Sequence, residues 1–196
     1  MKRNTITIQI NFNNIIIYQD NEYKKYFLKH SINNYKIYNK EIFIEDFKNI
    51  IDKLKINNKL LTDNINIIID SSYKEDDQIL LKETFKELSF NKIKLVNNLT
   101  LINNQDNEII INICNKNIKI YHNNNVLDIN VYFNKHIETL STYIKEMIKQ
   151  YKIKTIKVYG DYKELNKMIY KVERKVRKEV YIYTHPELIP ICYFVE

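Results

Sequence analysis

At 196 residues, 44% of them apolar and 28% charged, the chain can bury a core in one domain or two small lobes and is too apolar for a disordered segment. Its net charge of +7 would favour nucleic acid, anionic lipid or an acidic partner. The surplus of Asn, Ile, Lys and Tyr is, however, what the codons of an AT-rich genome supply, so charge alone assigns no partner.

The lone glycine, Gly160, excludes a glycine-rich loop, since backbone that cradles phosphate needs residues without a Cβ. Cys114 and Cys192 have no CxxC spacing, which speaks against a disulfide framework or a zinc site and for two reduced structural thiols. The chain opens Met1-Lys2-Arg3-Asn4 and passes directly into alternating residues, without the apolar core of a signal peptide or a run of membrane-spanning length. The expectation is a cytoplasmic protein.

In chain order, Thr5–Ile10 alternates as a strand, and Ile15–Gln19 follows the turn Asn11-Phe12-Asn13-Asn14. A third strand is predicted around Tyr35–Phe43. A helix should follow from about Ile44, with Ile44, Phe47, Ile50, Ile51 and Leu54 on one face. Asn66–Ile69 reads as a buried strand, Lys74–Leu88 as a second helix and Lys92–Val96 as a strand. The same order then recurs. Glu108–Ile113 and Ile118–His122 flank Cys114-Asn115-Lys116-Asn117, and Val126–Phe133 is a third strand. A helical stripe follows in Ile137, Leu140, Ile144, Met147, Ile148 and Tyr151, then a strand (Thr155–Tyr159), a helix (Tyr162–Arg177) and a strand (Val180–Tyr183). The predicted division is 1–103 and 104–196, with the polar stretch 103–107 as a short connector.

Three strands, helix, strand, helix, strand is the order of the ribonuclease-H-like fold, and two tandem copies resemble the actin superfamily of actins, heat-shock chaperones and sugar kinases. The segment from Ile67 to Asn104 is similar to the bacterial actins that set rod shape. Their strand ending V-P-S-G matches Ile69-Asp70-Ser71-Ser72, and their helix opening T-E-x-E-R-R matches Lys74-Glu75. Their A-G matches Ser89, and their L-I-E-E-P strand matches Leu95-Val96-Asn97-Asn98-Leu99. Val180-Tyr181-Ile182-Tyr183-Thr184-His185-Pro186 resembles the family's P-V-x-x-A-x-D-P. The resemblance implies an α/β protein of two ribonuclease-H-like lobes without the subdomains that actins insert before the first helix of each half.

The departures from that family carry the functional expectation. Its first phosphate hairpin, D-x-G-T, is matched here by Gln9, Asn11 and Phe12. The second, D-x-G-G-G-T, is matched by Asn112, Cys114, Asn115 and Lys116. The carboxylate that positions the attacking water becomes Asn97 or Asn98, and the adenosine-binding G-G keeps one member in Gly160-Asp161. Neutral amides replace carboxylates poorly around a hard cation. The expectation is a non-enzymatic pseudo-ATPase with no cofactor and no metal. It would be a scaffold or assembly protein of cytoskeleton, division or envelope machinery, working through protein partners or self-association. A degenerate platform component of type IV pilus or type II secretion machinery is an alternative, and a residual nucleotide-binding or phosphotransfer protein is another.

Other candidates have plain local readings. Asp70 and Asp161 end equivalent strands, and Ser72-x-x-Glu75 and Asp161-x-x-Glu164 read as capping boxes. His30, His122, His136 and His185 have no ligand spacing. Lys163, Lys167, Lys171, Arg174, Lys175, Arg177 and Lys178 form the densest basic run. Leu165, Met168, Ile169, Val172 and Val176 take the inner face at helical spacing. The run is either a solvated helix face or a contact for an anionic partner, whether protein, nucleic acid or membrane surface.

Overall fold

The computed structural model describes residues 6–19, 21–54, 64–102, 106–114, 117–123, 125–130, 136–160, 170, 174 and 181–185. The chain forms two compact units that divide after Asn98.

In the first unit β1 (Ile6–Ile10), β2 (Asn14–Gln19) and β3 (Glu22–Phe27) are joined by tight turns. After them come β4 (Ile32–Asn33), β5 (Lys36–Ile37), α1 (Lys40–Lys53), β6 (Asn64–Ile69), α2 (Glu75–Glu87) and β7 (Lys92–Asn97). The sheet order is β3-β2-β1-β6-β7. β1, β2 and β3 pair antiparallel, whereas β1, β6 and β7 run parallel, which requires α1 and α2 as crossovers. Alternation explains the packing: Ile6, Ile8, Ile10, Ile15, Ile17, Ile65, Ile67 and Ile69 enter one core with the helices. The opposite side of the same strands is buried too, with Thr7, Gln9, Ile16 and Ile68 all nearly inaccessible.

Four rings fix the helices. Phe85 of α2 lies 5.7 Å from Phe43 and 5.3 Å from Phe47 of α1, and 5.8 Å from Phe90. Helix α2 then ends in a Schellman motif. The Ser89 N–H donates to Lys86 O at 2.9 Å and the Phe90 N–H to Phe85 O at 3.1 Å, with Ser89 at φ 69. Ser89, aligned with the family's glycine, therefore keeps the left-handed conformation that glycine would supply.

The third strand is not at Tyr35–Phe43 but at Glu22–Phe27. Its sequence Glu-Tyr-Lys-Lys-Tyr-Phe has no apolar face because it is an exposed edge strand, so alternation could not reveal it. Tyr35 instead lies in a two-residue turn with Asn34, at φ 66 and 49, closing the β4–β5 hairpin in the geometry that matches strand twist. Helix α1 starts at Lys40 rather than Ile44. The Asn39 side chain accepts from the Ile42 N–H at 3.1 Å and caps the helix there. Two ion pairs hold α2 to this segment: Lys36 with Asp77 at 2.5 Å, and Lys40 with Glu87.

α3 (Asn98–Leu101) spans the division. The second unit continues with β8 (Glu108–Cys114), β9 (Asn117–His122), β10 (Asn125–Asn130), α4 (His136–Tyr151), β11 (Thr155–Gly160) and β12 (Tyr181–His185). Its sheet order, β10-β9-β8-β11-β12, repeats the first with the same parallel and antiparallel pairings. Both sheets thus have the ribonuclease-H-like strand order. One face packs Ile109, Ile111, Ile113, Ile118, Ile120, Ile156 and Val158 against Leu140 and Ile144 of α4. The other packs Ile110, Tyr121 and Tyr159 against Ile102 and Leu99. Tyr151, expected on the α4 stripe, is instead 42% exposed and rests against the His122 ring at 4.5 Å. The expected helix Tyr162–Arg177 lies outside the described residues except for Tyr170 and Arg174. Among the described residues no helix is long and apolar enough to cross a membrane.

Candidate functional site

Parallel strands bring their C-terminal ends to one edge of a sheet, where open α/β folds place their ligands. In the first unit that edge holds the ends of β1, β6 and β7. The Gln9 Nε2 donates to Asn11 Oδ1 at 2.8 Å, the Asn11 Nδ2 donates to Asn14 Oδ1 at 3.2 Å, and the Asn14 Nδ2 donates to Asn13 Oδ1 at 3.2 Å. Gln9, Asn11 and Asn14 are all buried. Backbone bonds close the same loop: Asn11 N–H to Asn14 O at 2.9 Å, Leu28 N–H to Asn13 O at 2.9 Å and Tyr35 N–H to Phe12 O at 3.3 Å. Phe12 sets its ring edge-on to Tyr35 at 5.8 Å. Of the residues aligned with the first phosphate hairpin, Gln9 and Asn11 thus join Asn14 and Asn13 in a ladder of neutral amides, and Phe12 packs on Tyr35.

A carboxylate stands at the same sheet edge, at the position aligned with the proline of V-P-S-G. Asp70, 1% exposed, follows β6. Its Oδ1 accepts from the Ser72 N–H at 2.9 Å and its Oδ2 from the Asn98 Nδ2 at 3.3 Å. The register Ile69 to Asn97 explains the second bond, because it carries the next residue of each strand into contact. Asn97 ends β7 and Asn98 opens α3, so Asn98 is the one of that pair turned toward the buried acid. Burial pushes the Tyr73 phenol well above its ordinary range, and the nearby Asp77 and Asp70 charges add to the effect.

The Ser72-x-x-Glu75 capping box is not formed. Ser72 gives its N–H to Asp70, and α2 begins later. Asp77 accepts from the Lys74 N–H at 2.9 Å. Its bond to Lys36, and then this one, hold the Asp77 carboxyl below the usual aspartate value.

In the second unit Asn112 is buried and stands in register with Lys119 on one side and Tyr159 on the other. Lys119 is 2% exposed and Tyr159 1%. Sequence reasoning passed over both, because Ile118-Lys119-Ile120 alternates as if Lys119 met solvent, whereas both faces of this sheet are covered. Cys114 ends β8 opposite Asn117, while Asn115, Lys116 and Asp161 lie outside the described residues. Gly160 has a local structural reason. At φ 150 it passes so close to β8 that any Cβ would fall within the Ile113 carbonyl.

Of the basic run, Arg174 is described and exposed, its guanidinium 5.9 Å from the ring of Tyr170. Lys163, Lys167, Lys171, Lys175, Arg177 and Lys178 are outside the described residues. His122 Nε2 lies 2.9 Å from the Asp106 carbonyl oxygen. Among the described residues no group of three His, Cys, Asp or Glu side chains is placed to hold a metal ion.

No protein-family model matches the sequence, and no curated protein matches it significantly. Solved structures do match. The ethanolamine utilization protein EutJ from Carboxydothermus hydrogenoformans is 13% identical at a TM-score of 0.67, over 94% of this chain and 86% of that one. MreB 5 of Spiroplasma citri bound to AMPPNP is 14% identical at 0.51, over 74% of this chain and 58% of that one. AlfA from the B. subtilis plasmid pLS32, solved as a filament, is 10% identical at 0.54, over 94% and 93%. At these identities the likeness is one of fold: the chain has the actin-like ATPase fold, in shortened form.

Proposed function

We propose, from this actin-like ATPase fold, that the protein is a non-catalytic scaffold that works through protein–protein contacts, association of its own copies included. The observation that carries the reading is the amide ladder Gln9–Asn11–Asn14. A hard cation such as Mg²⁺ seeks carboxylate and water oxygens and needs them unscreened. Here Gln9, the residue aligned with the acid in that role, is neutral, buried and bonded to Asn11, which is bonded in turn to Asn14. The carboxylate at this sheet edge, Asp70, is aligned with a proline of the family and accepts from a backbone N–H and from Asn98, bonds that stabilise a local turn. A fold kept through two well-packed apolar cores, with neutral groups where relatives of this superfamily have acids, fits selection for surfaces. The filament of AlfA, a protein of the same fold, supports self-association as one form of that work.

Calorimetric titration with Mg·ATP, together with phosphate-release assays, tests the catalytic half of this reading. No heat of binding at micromolar protein and no phosphate release are expected. Micromolar, Mg²⁺-dependent affinity would overturn it in favour of a nucleotide-binding or phosphotransfer protein.

A further inference from the structure

Strand β3 closes one side of the first sheet, and among the described residues no strand pairs with its outer edge. It stays in register with β2 from Glu22 to Phe27 without a bulge, so every second residue turns its N–H and C=O outward. Such an edge is a template for another strand, and proteins shorten, bend or charge their edges to prevent that. Lys24 and Lys25, both exposed, meet that need. They do not explain two aromatic rings in solvent beside them. Tyr23 is 38% exposed and Phe27 63%, on the face that Lys25 shares. Both rings are held in place: Tyr23 lies 4.8 Å from Tyr18 of β2, and the Lys25 Nζ stands 4.7 Å from the centre of the Phe27 ring.

The surroundings of this edge are cationic. From Tyr23 to Lys40 the chain has no Asp or Glu, and Lys29 and His30, just beyond the strand, are exposed. Lys36 and Lys40 are answered by Asp77 and Glu87 of α2. On the strand itself Lys24 meets Glu22 at 3.4 Å, an exposed pair of the kind that solvent weakens.

We infer that β3 takes an extended acidic segment of a partner protein as an added strand, antiparallel to it. The inference rests on the protein-contact reading above and names one surface and the chemistry of its partner. Charge complementarity selects an acidic occupant. Side chains opposite each other across antiparallel strands share a face. The segment therefore carries an apolar residue opposite Phe27, any residue opposite Tyr26, acids opposite Lys25 and Lys24, and an apolar residue opposite Tyr23. Backbone bonds supply the affinity and these side chains choose the partner. A second copy of β3 is a poor occupant. The two-fold antiparallel registers of longest overlap centre on Lys24 or Lys25 and set like charges directly opposite.

The test uses the full chain and fluorescence anisotropy with a labelled peptide of about ten residues built on that pattern, apolar–any–acid–acid–apolar between threonines. Saturable binding is expected at ~0.05 M salt, at least about ten-fold weaker at ~0.5 M, as screening of exposed charges requires. Methylating one alternating set of the peptide's backbone nitrogens should abolish binding, and methylating the other set should spare it, because one edge of the peptide faces β3. The protein is unaltered in that comparison, so its folding is not at issue. The variant Lys24→Glu with Lys25→Glu, shown to fold by circular dichroism melts, should lose the acidic peptide and bind one with lysines in place of the acids. A wild type that does not bind the acidic peptide overturns this site, while protein contacts through other faces and the Mg·ATP test are unaffected. Binding that survives both methylation patterns overturns strand addition. An oligothymidine bound more tightly than the peptide, and lost in the charge-reversed variant, overturns the protein partner in favour of single-stranded nucleic acid.

Discussion

Truncating Phe85 probes whether the first unit is held by its aromatic cluster. The ring is fully buried and meets three others, Phe43, Phe47 and Phe90, with centroids 5.3 to 5.8 Å away. Phe85→Ala removes the ring and leaves a cavity walled by α1, whose first residue Lys40 is tied to Glu87 of α2 while Lys36 of β5 holds Asp77 at the other end of α2, so the walls cannot easily collapse inward. Substitutions of this kind cost about 3–5 kcal/mol. Each ring pair adds ~0.5–1.5 kcal/mol beyond area, which places this site in the upper part of that range. The Phe85–Phe90 contact also closes the Schellman motif, so the end of α2 should loosen as well. Urea unfolding followed by helical circular dichroism measures the loss. With a slope of about 2 kcal/mol per molar, the transition should move by roughly 2 M. Ile79→Ala on the same helix, at a half-exposed position, should stay within about 0.5 kcal/mol. A Phe85→Ala loss below about 1 kcal/mol at unchanged slope would refute the claim that these rings carry the packing of α1 on α2.

Two further outcomes are expected. Ser89→Gly should stabilise the chain by about 0.5–1 kcal/mol, since a left-handed L-residue costs ~1–2 kcal/mol and glycine returns part of that as unfolded-state entropy; a destabilised variant in thermal melts would contradict the strain at φ 69. Asp77 is depressed by Lys36 and the Lys74 N–H, so its contribution should be complete above the ordinary aspartate value of 3.8 and fade as pH falls through the lower folded value. The stability gap between wild type and Asp77→Asn, below about 1 kcal/mol for a part-exposed pair, should therefore close in acid, and a gap that widens there in pH-dependent urea titrations would reverse the assigned sign.

Periodicity alone located most of the framework. The central strands β1 and β8 alternate apolar residues against a covered face, and α1, α2 and α4 each carry a stripe at helical spacing, so burial is written directly into residue order. The repeated element order was equally visible, and with it the ribonuclease-H-like plan. Only tertiary structure could place β3, because an edge strand with both faces near solvent carries no hydrophobic signature, and its pairing is set by backbone bonds to β2. The same holds for the start of α1, decided by one side-chain cap at Asn39, and for Ser89, whose role depends on φ rather than on side-chain type.

At the site, sequence identified which acids had become amides but not what the amides do. That Gln9, Asn11 and Asn14 bond to one another follows from the fold of the turn between β1 and β2, whereas the hold of Asn98 on Asp70 follows from strand register, which brings residues distant in sequence to the same sheet edge. Lys119 and Tyr159 are the sharpest case. Alternation assigns each side chain to a face, but whether that face meets water or a second layer is a property of the packed unit, and here both faces are closed.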